Sequence, residues 1–238
     1  MTQAQTTRRT KPVTIVGKVK TRIARLTHRI AFTGSTEYWE RRYANGGHSG
    51  AGSYGPMAEW KAHHINEWVQ QHNIQRVIEF GCGDGAQLSH ANYPHYIGLD
   101  VSRTVIDTCK QKYADDPTKS FLWMDPDRFI NNRYITGDLV LSLDVILHLV
   151  EDERLTQHVQ AIDAAGTRYA IFVTEDRKTS PGDPHVRYRN LADWKSMMPG
   201  WRWVKTIENP WKDGHPSDAD MFIFERVDGL GAVDAVRG

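Results

Sequence analysis

Residues Val77 to Gly85, Val-Ile-Glu-Phe-Gly-Cys-Gly-Asp-Gly, set an apolar run directly before three glycines in five positions. The run reads as a buried strand. Gly81, Gly83 and Gly85 lack the Cβ that disfavours positive φ, so the loop can turn sharply and admit a ligand close to the main chain, with loop N–H groups pointing at it. A helical stretch is expected to follow from Ala86 to Ala91. Strand, glycine loop and helix N-terminus together form the nucleotide-holding unit of doubly wound sheets.

The rest of the chain continues that pattern. Apolar runs at 76–80, 95–99, 119–124, 138–143, 169–174, 201–207 and 220–226 alternate with helical patterns at 102–114, 151–165 and 190–198. Only Glu208 to Ala219 separates the last two strands, and Pro210, Gly214 and Pro216 bar a helix there. They should therefore pair as an antiparallel hairpin. The expected fold is α/β, a Rossmann-like three-layer sandwich with a seven-stranded, mostly parallel sheet and an antiparallel C-terminal hairpin.

The glycine spacing distinguishes between ligand classes. A dinucleotide loop has G-x-G-x-x-G, whereas here Glu79 precedes glycines at 81, 83 and 85. This E-x-G-x-G-x-G segment resembles motif I of class I S-adenosylmethionine-dependent methyltransferases. The resemblance implies that Gly81, Cys82, Gly83, Asp84 and Gly85 wrap the methionine part of S-adenosylmethionine, with Glu79 helping to hold its ammonium. His95 to Asp100 reads as a second strand ending in an acid, which makes Asp100, followed by Val101, the expected ribose ligand. In Ser120 to Asp125 the resemblance gives Asp125 the adenine amino group and lays Trp123 or Met124 against the ring. Asp125-Pro-Asp127 is equally suited to a turn and helix cap. Asp138 to Asp144 and the following Val145 to Asp152 resemble motif IV, which places Leu143 and Asp144 beside the transferring methyl group.

The net charge of +1 hides a division. Residues 1–36 carry eight Lys and Arg and no acid, so the remaining 22 of the 30 bases face all 29 acids. Val16, Val19, Ile23, Leu26 and Ile30 fall on one helical face and Lys18, Arg22, Arg25 and Arg29 on another. Such an amphipathic arm, over residues 11–32, docks on an anionic membrane surface, on an acidic partner or on its own acidic domain. No aromatic or glycine pattern of a nucleic-acid reader accompanies it. Two cysteines, no apolar run of spanning length and no signal-peptide pattern make a cytoplasmic protein the expectation, peripheral at the inner membrane face if the arm binds lipid. The domain reading is a basic arm at 1–36, a methyltransferase domain at 37–227 with its lid and first helix at 37–72, and a flexible tail at 228–238.

Gly46 to Gly55 holds five glycines in ten residues, a segment costly to order unless something binds there. By resemblance to small-molecule methyltransferases with a Tyr-Trp-x-x-Arg-Tyr motif, Tyr38, Trp39, Arg42, Ser49 and Ser53 form a lid over the cofactor. In the next helix Met57, Trp60, His64 and Trp68 share a face expected to pack on the sheet. For an oxygen acceptor a base is needed within reach, and His148, four residues after Asp144, and His185 are the two placed for it. Each is alternatively a structural histidine. Arg187 and Arg189 suit an anionic acceptor, or hold a loop. Asp144, Glu175 and Asp176 end neighbouring strands, where some relatives bind Mg²⁺; no metal is assigned. Asp144-Val-Ile-Leu stands where nucleobase amino methylation would require Asn-Pro-Pro-Tyr.

Residues 142–153 with His185, Arg187 and Trp194 also resemble bacterial methyltransferases associated with glycan synthesis. The resulting expectation is methyl transfer from S-adenosylmethionine to an oxygen of a small-molecule or glycan acceptor. The alternatives are a protein or RNA methyltransferase using the arm, and a non-catalytic cofactor-binding homologue.

Overall fold

The computed structural model describes residues 32–211 and 217–227. The expected amphipathic helix of the arm and the expected tail lie outside these residues. Seven strands form one sheet: β1 Arg76–Phe80, β2 His95–Asp100, β3 Lys119–Trp123, β4 Gly137–Leu143, β5 Gly166–Thr174, β6 Trp201–Ile207 and β7 Asp220–Arg226. Their order is β3-β2-β1-β4-β5-β7-β6. The first five are parallel, and β7 runs antiparallel between β5 and β6. The helices are α1 Ser35–Ala44, α2 Gly55–Gln71, α3 Arg103–Lys112, α4 Asp152–Ala165 and α5 Leu191–Lys195.

Period-two alternation sorts the strand residues between two cores. Val77, Leu139, Leu141, Ile171 and Ile223 pack with Ile65 and Val69 of α2 and with Ile106 and Cys109 of α3. Ile78, Phe80, Val140, Phe172 and Phe224 pack with Leu155, Val159 and Ile162 of α4 and with Trp194 of α5. Both faces are covered, as a mainly parallel sheet requires.

Two local expectations are corrected. Ala86 to Ala91 does not form an α-helix; only a 3-10 turn, Gln87–His90, follows the glycine loop. The Ser89 hydroxyl bonds back to Ala86 O at 2.6 Å and Ala91 is already extended, so the turn ends before an α-helical ladder is established. In α2 the buried face is Met57, Ala58, Lys61, Ala62, Ile65 and Val69, while Trp60 and Trp68 pack partly buried beside it. The bulky indoles sit half-buried at the margin, and a lysine occupies the centre.

Candidate active site

The chain ends of β1, β2 and β4 open into one pocket, roofed by α1 and by the 45–54 loop. Gly81, Gly83 and Gly85 have φ of 84°, 55° and 68°, values that only glycine adopts without strain. At Gly83 an added Cβ would press into Ser49 Oγ and stand 3.1 Å from the Tyr43 hydroxyl, so the glycine is also what lets the roof close.

The loop N–H groups do not face the pocket as expected. Gly81 and Cys82 both donate to Leu99 O (2.7 and 3.0 Å), Gly85 donates to Cys82 O (3.4 Å), Gly83 to Asp100 Oδ2 (3.0 Å) and Asp84 to Ser49 Oγ (2.9 Å). With neither free donors nor a following α-helix, the loop is not a phosphate cradle. The polar groups it leaves for a ligand are acceptors. Glu79, Asp100, Asp144 and Gln87 all line the pocket.

Asp100 is buried, its oxygens accepting from Gly83 N and Ser102 N (2.9 Å), and each retains a lone pair for a further donor. Burial pushes its carboxyl up to about 6 against those backbone hydrogen bonds. Glu79 accepts from the Tyr96 hydroxyl at 2.6 Å, and burial pushes it up to about 7. Asp84 also lines the pocket and latches its roof, accepting from Ser49 N (2.9 Å), the Tyr54 hydroxyl (2.5 Å) and Ala86 N (3.0 Å). Burial alone would raise its pKa, but these donors outweigh that effect and hold the carboxyl below its ordinary range.

Asp144 stands in the left-handed region, φ 58°, at the end of β4. Its Oδ2 accepts from Lys61 Nζ at 2.6 Å, and Lys61 is completely buried. Sequence reading missed this lysine. Its one signal was spacing, since 57, 61 and 65 lie on a single helical face.

His148 lines the pocket and is packed edge-on against Trp39 at 4.9 Å. Its Nδ1 lies 3.0 Å from His185 O, a carbonyl that only accepts, so Nδ1 carries the proton and Nε2 is left basic. Burial lowers its pKa below the ordinary histidine value. His185 is outside the lining. It stacks between Tyr38 (4.4 Å, 15°) and His148 (5.6 Å, 7°), holding the imidazole of His148 in place.

Tyr38 and Arg42 brace the roof without lining the pocket: Arg42 donates to His48 O at 2.6 Å and to the Tyr38 hydroxyl at 3.1 Å. Trp39, Ser49 and Ser53 do line it, as do Val101, Leu143 and Met124. Asp125 does not. Its Oδ1 accepts from Asp127 N at 3.0 Å, the turn role that its sequence equally allowed. Trp123 donates to Val101 O and lies under the Arg103 guanidinium, leaving Met124 as the residue facing the pocket.

Arg187 and Arg189 are loop holders. Arg187 donates to Val150 O (2.8 Å) and pairs with Asp152 (2.9 Å); Arg189 donates to Leu149 O (2.5 Å) and pairs with Asp152 (3.1 Å). A guanidinium fork matches adjacent carbonyls as well as it matches an anion. The guanidinium that does line the pocket is Arg154, paired with Asp127 at 2.6 Å. Of the three acids considered for Mg²⁺, Asp144 pairs with Lys61, Glu175 accepts from Asp218 N (3.1 Å) and Asp176 from Leu191 N (2.7 Å).

Residues 78–165 match the family profile of a methyltransferase domain. Among solved structures, the chain is similar to the N-methyltransferase NodS from Bradyrhizobium japonicum WM9 in complex with S-adenosyl-L-homocysteine (TM-score 0.63, 14% identity, 81% of this chain and 98% of that one). It is also similar to magnesium protoporphyrin IX methyltransferase ChlM from Synechocystis PCC 6803 with bound SAM (0.59, 14%, 82% and 99%). A third is an S-adenosylmethionine-dependent methyltransferase from Clostridium acetobutylicum ATCC 824 (0.55, 10%, 71% and 91%).

Proposed function

From a chain with the class I methyltransferase fold and a methyltransferase domain over residues 78–165, we propose an enzyme that transfers the methyl group of S-adenosylmethionine to an oxygen of a small-molecule or glycan acceptor. The observation that carries the donor assignment is the polarity of the pocket. Its loop N–H groups are all satisfied within the protein, Glu79, Asp100 and Asp144 line it, and the guanidinium in the lining, Arg154, is paired with Asp127. Such a wall repels a pyrophosphate and suits a cation bearing a neutral diol.

When bound, S-adenosylmethionine supplies an electrophilic methyl group on a sulfonium. Asp100 accepts from the ribose hydroxyls, and Val101 and Met124 flank the adenine. Trp39, Tyr43 and Ser49 exclude water from above, which matters because transfer depends on alignment more than on acid–base power. His148, with Nδ1 fixed by His185 O, takes the acceptor proton at Nε2. Tyr38, Arg42 and His185 keep the roof and that imidazole in register. The basic segment at 11–32 brings the enzyme to an anionic membrane surface or a protein partner.

Isothermal titration with S-adenosylmethionine tests the donor: binding in the low micromolar range is expected, on the order of ordinary substrate affinities. Gly83→Arg, which drives a side chain into Ser49 and Tyr43, should abolish it. A wild-type protein that binds no S-adenosyl compound would overturn the reading.

A further inference from the structure

Three side chains able to ligate a metal meet on the outer face of α2: His63, His64 and Glu67. His63 and Glu67 are four residues apart and His64 and Glu67 three, so all project from one side of the helix. That side lies opposite the buried Ala58, Ala62, Ile65 and Val69.

Their separations are those of ligands around an ion, not of bonded pairs. His63 Nε2 lies 3.6 Å from Glu67 Oε1 and His64 Nδ1 3.8 Å from Glu67 Oε2, both too long for a hydrogen bond. One ligand atom from each residue lies within 4.8 Å of the other two. Nitrogen and oxygen ligands 2.0–2.2 Å from Zn²⁺ in a tetrahedron stand about 3.4 Å from one another, so the three atoms need to close by about 1.4 Å at most. His63 and Glu67 are exposed and can rotate to do so. His64 is the fixed member, 25% exposed and packed edge-on against Trp60 at 5.6 Å. As ion pairs the same exposed contacts would contribute little.

We propose that His63, His64 and Glu67 form a surface binding site for a divalent transition-metal ion of the zinc class. Two imidazoles and one carboxylate suit such ions, whereas Mg²⁺ and Ca²⁺ take oxygen ligands. Three protein ligands leave the fourth position to water. None of the three residues lines the pocket, so the site stands apart from methyl transfer and does not depend on the donor assignment. An ion held there ties successive turns of α2, and its binding free energy adds to the stability of the folded chain.

The test uses the full chain without a polyhistidine tag, at about pH 7.5, where imidazoles are largely neutral. Calorimetric titration with Zn²⁺ should show one ion per chain, titration with Mg²⁺ should show none, and Zn²⁺ should raise the melting temperature. His63→Ala, His64→Phe and Glu67→Gln should each weaken Zn²⁺ binding at least about tenfold and shrink the melting shift, since losing a partner one shell further out already costs about 10- to 100-fold. His64→Phe keeps an aromatic ring against Trp60, so its effect reports on the lost nitrogen and not on packing. A wild-type chain that binds no Zn²⁺ would overturn the proposal. So would unchanged affinity in any one of the three variants, or a triple variant that binds Zn²⁺ as tightly as wild type, which would place the ion on other histidines.

Discussion

Gly83→Ala offers a measurable test of how the roof is held. The residue has φ 55°, where an L-amino acid pays about 1–2 kcal/mol. Its new methyl would collide with Ser49 Oγ, which accepts from Asp84 N–H at 2.9 Å and bonds the Tyr43 hydroxyl at 3.0 Å. Each of those bonds contributes about 1 kcal/mol net. The backbone strain cannot be escaped while the loop is native, so it should appear as about 1–2 kcal/mol of lost stability in urea unfolding. The collision can be escaped by lifting the 45–54 loop, so the further ~2 kcal/mol should appear as roof opening: faster amide exchange at 48–54 and roughly 30-fold weaker S-adenosylhomocysteine binding. Adding Ser49→Gly to Gly83→Ala removes the colliding hydroxyl and should leave loop exchange no faster than in Ser49→Gly alone. If Gly83→Ala speeds loop exchange equally in both backgrounds, the roof is not held through this contact.

His148→Ala should lower kcat at least about 100-fold with unchanged affinity for S-adenosylhomocysteine, whereas His185→Ala, which preserves the backbone carbonyl, should cost less. Because His148 is pushed below its ordinary pKa, its basic form persists on acidification, and the acid limb of the kcat profile should fall below pH 6.5, not at it. Burial raises Asp100 to about 6 and Glu79 to about 7, and a cationic ligand favours their ionised forms. Donor affinity should therefore rise between pH 5.5 and 8 with proton release, visible as a buffer-dependent binding enthalpy; a flat profile would contradict it. Lys61→Met leaves the Asp144 carboxylate beside an apolar neighbour and should cost about 3 kcal/mol, the low end for breaking a buried pair because Asp144 keeps 16% exposure. Lys61→Met/Asp144→Asn should recover most of that loss in thermal melts.

The sheet was legible because two-residue periodicity and buried parallel strands leave little ambiguity in Val77–Phe80, Asp138–Leu143 or Met221–Phe224. Glu79 was placed through the glycine loop and its spacing, Asp100 as the acid that ends the second strand and Leu143 through the motif IV resemblance, and all three line the pocket. The failures have a shared cause. The direction of a polar side chain depends on partners distant in sequence, which local pattern cannot supply. Nothing near Lys61 in sequence points to its counter-ion, Asp144, which lies 83 positions away. For Arg187 and Arg189 the choice between an anionic acceptor and a loop stayed open, because the carbonyls of Leu149 and Val150 carry no sequence signature. The loop N–H groups seemed free because nothing in the sequence shows that Leu99 O lies against Gly81 and Cys82.

The strand order also governs how the chain can assemble. β7 is the last strand in sequence among the described residues yet lies inside the sheet, bonded to β5 on one side and β6 on the other. Until residues 220–226 have left the ribosome, β5 remains an open edge whose Ala170, Ile171, Phe172 and Val173 are all apolar, and β6 has no neighbour at all. The nascent protein thus carries its stickiest edge longest. Synthesis rate and chaperone supply should limit its yield more than the stability of the finished sheet does.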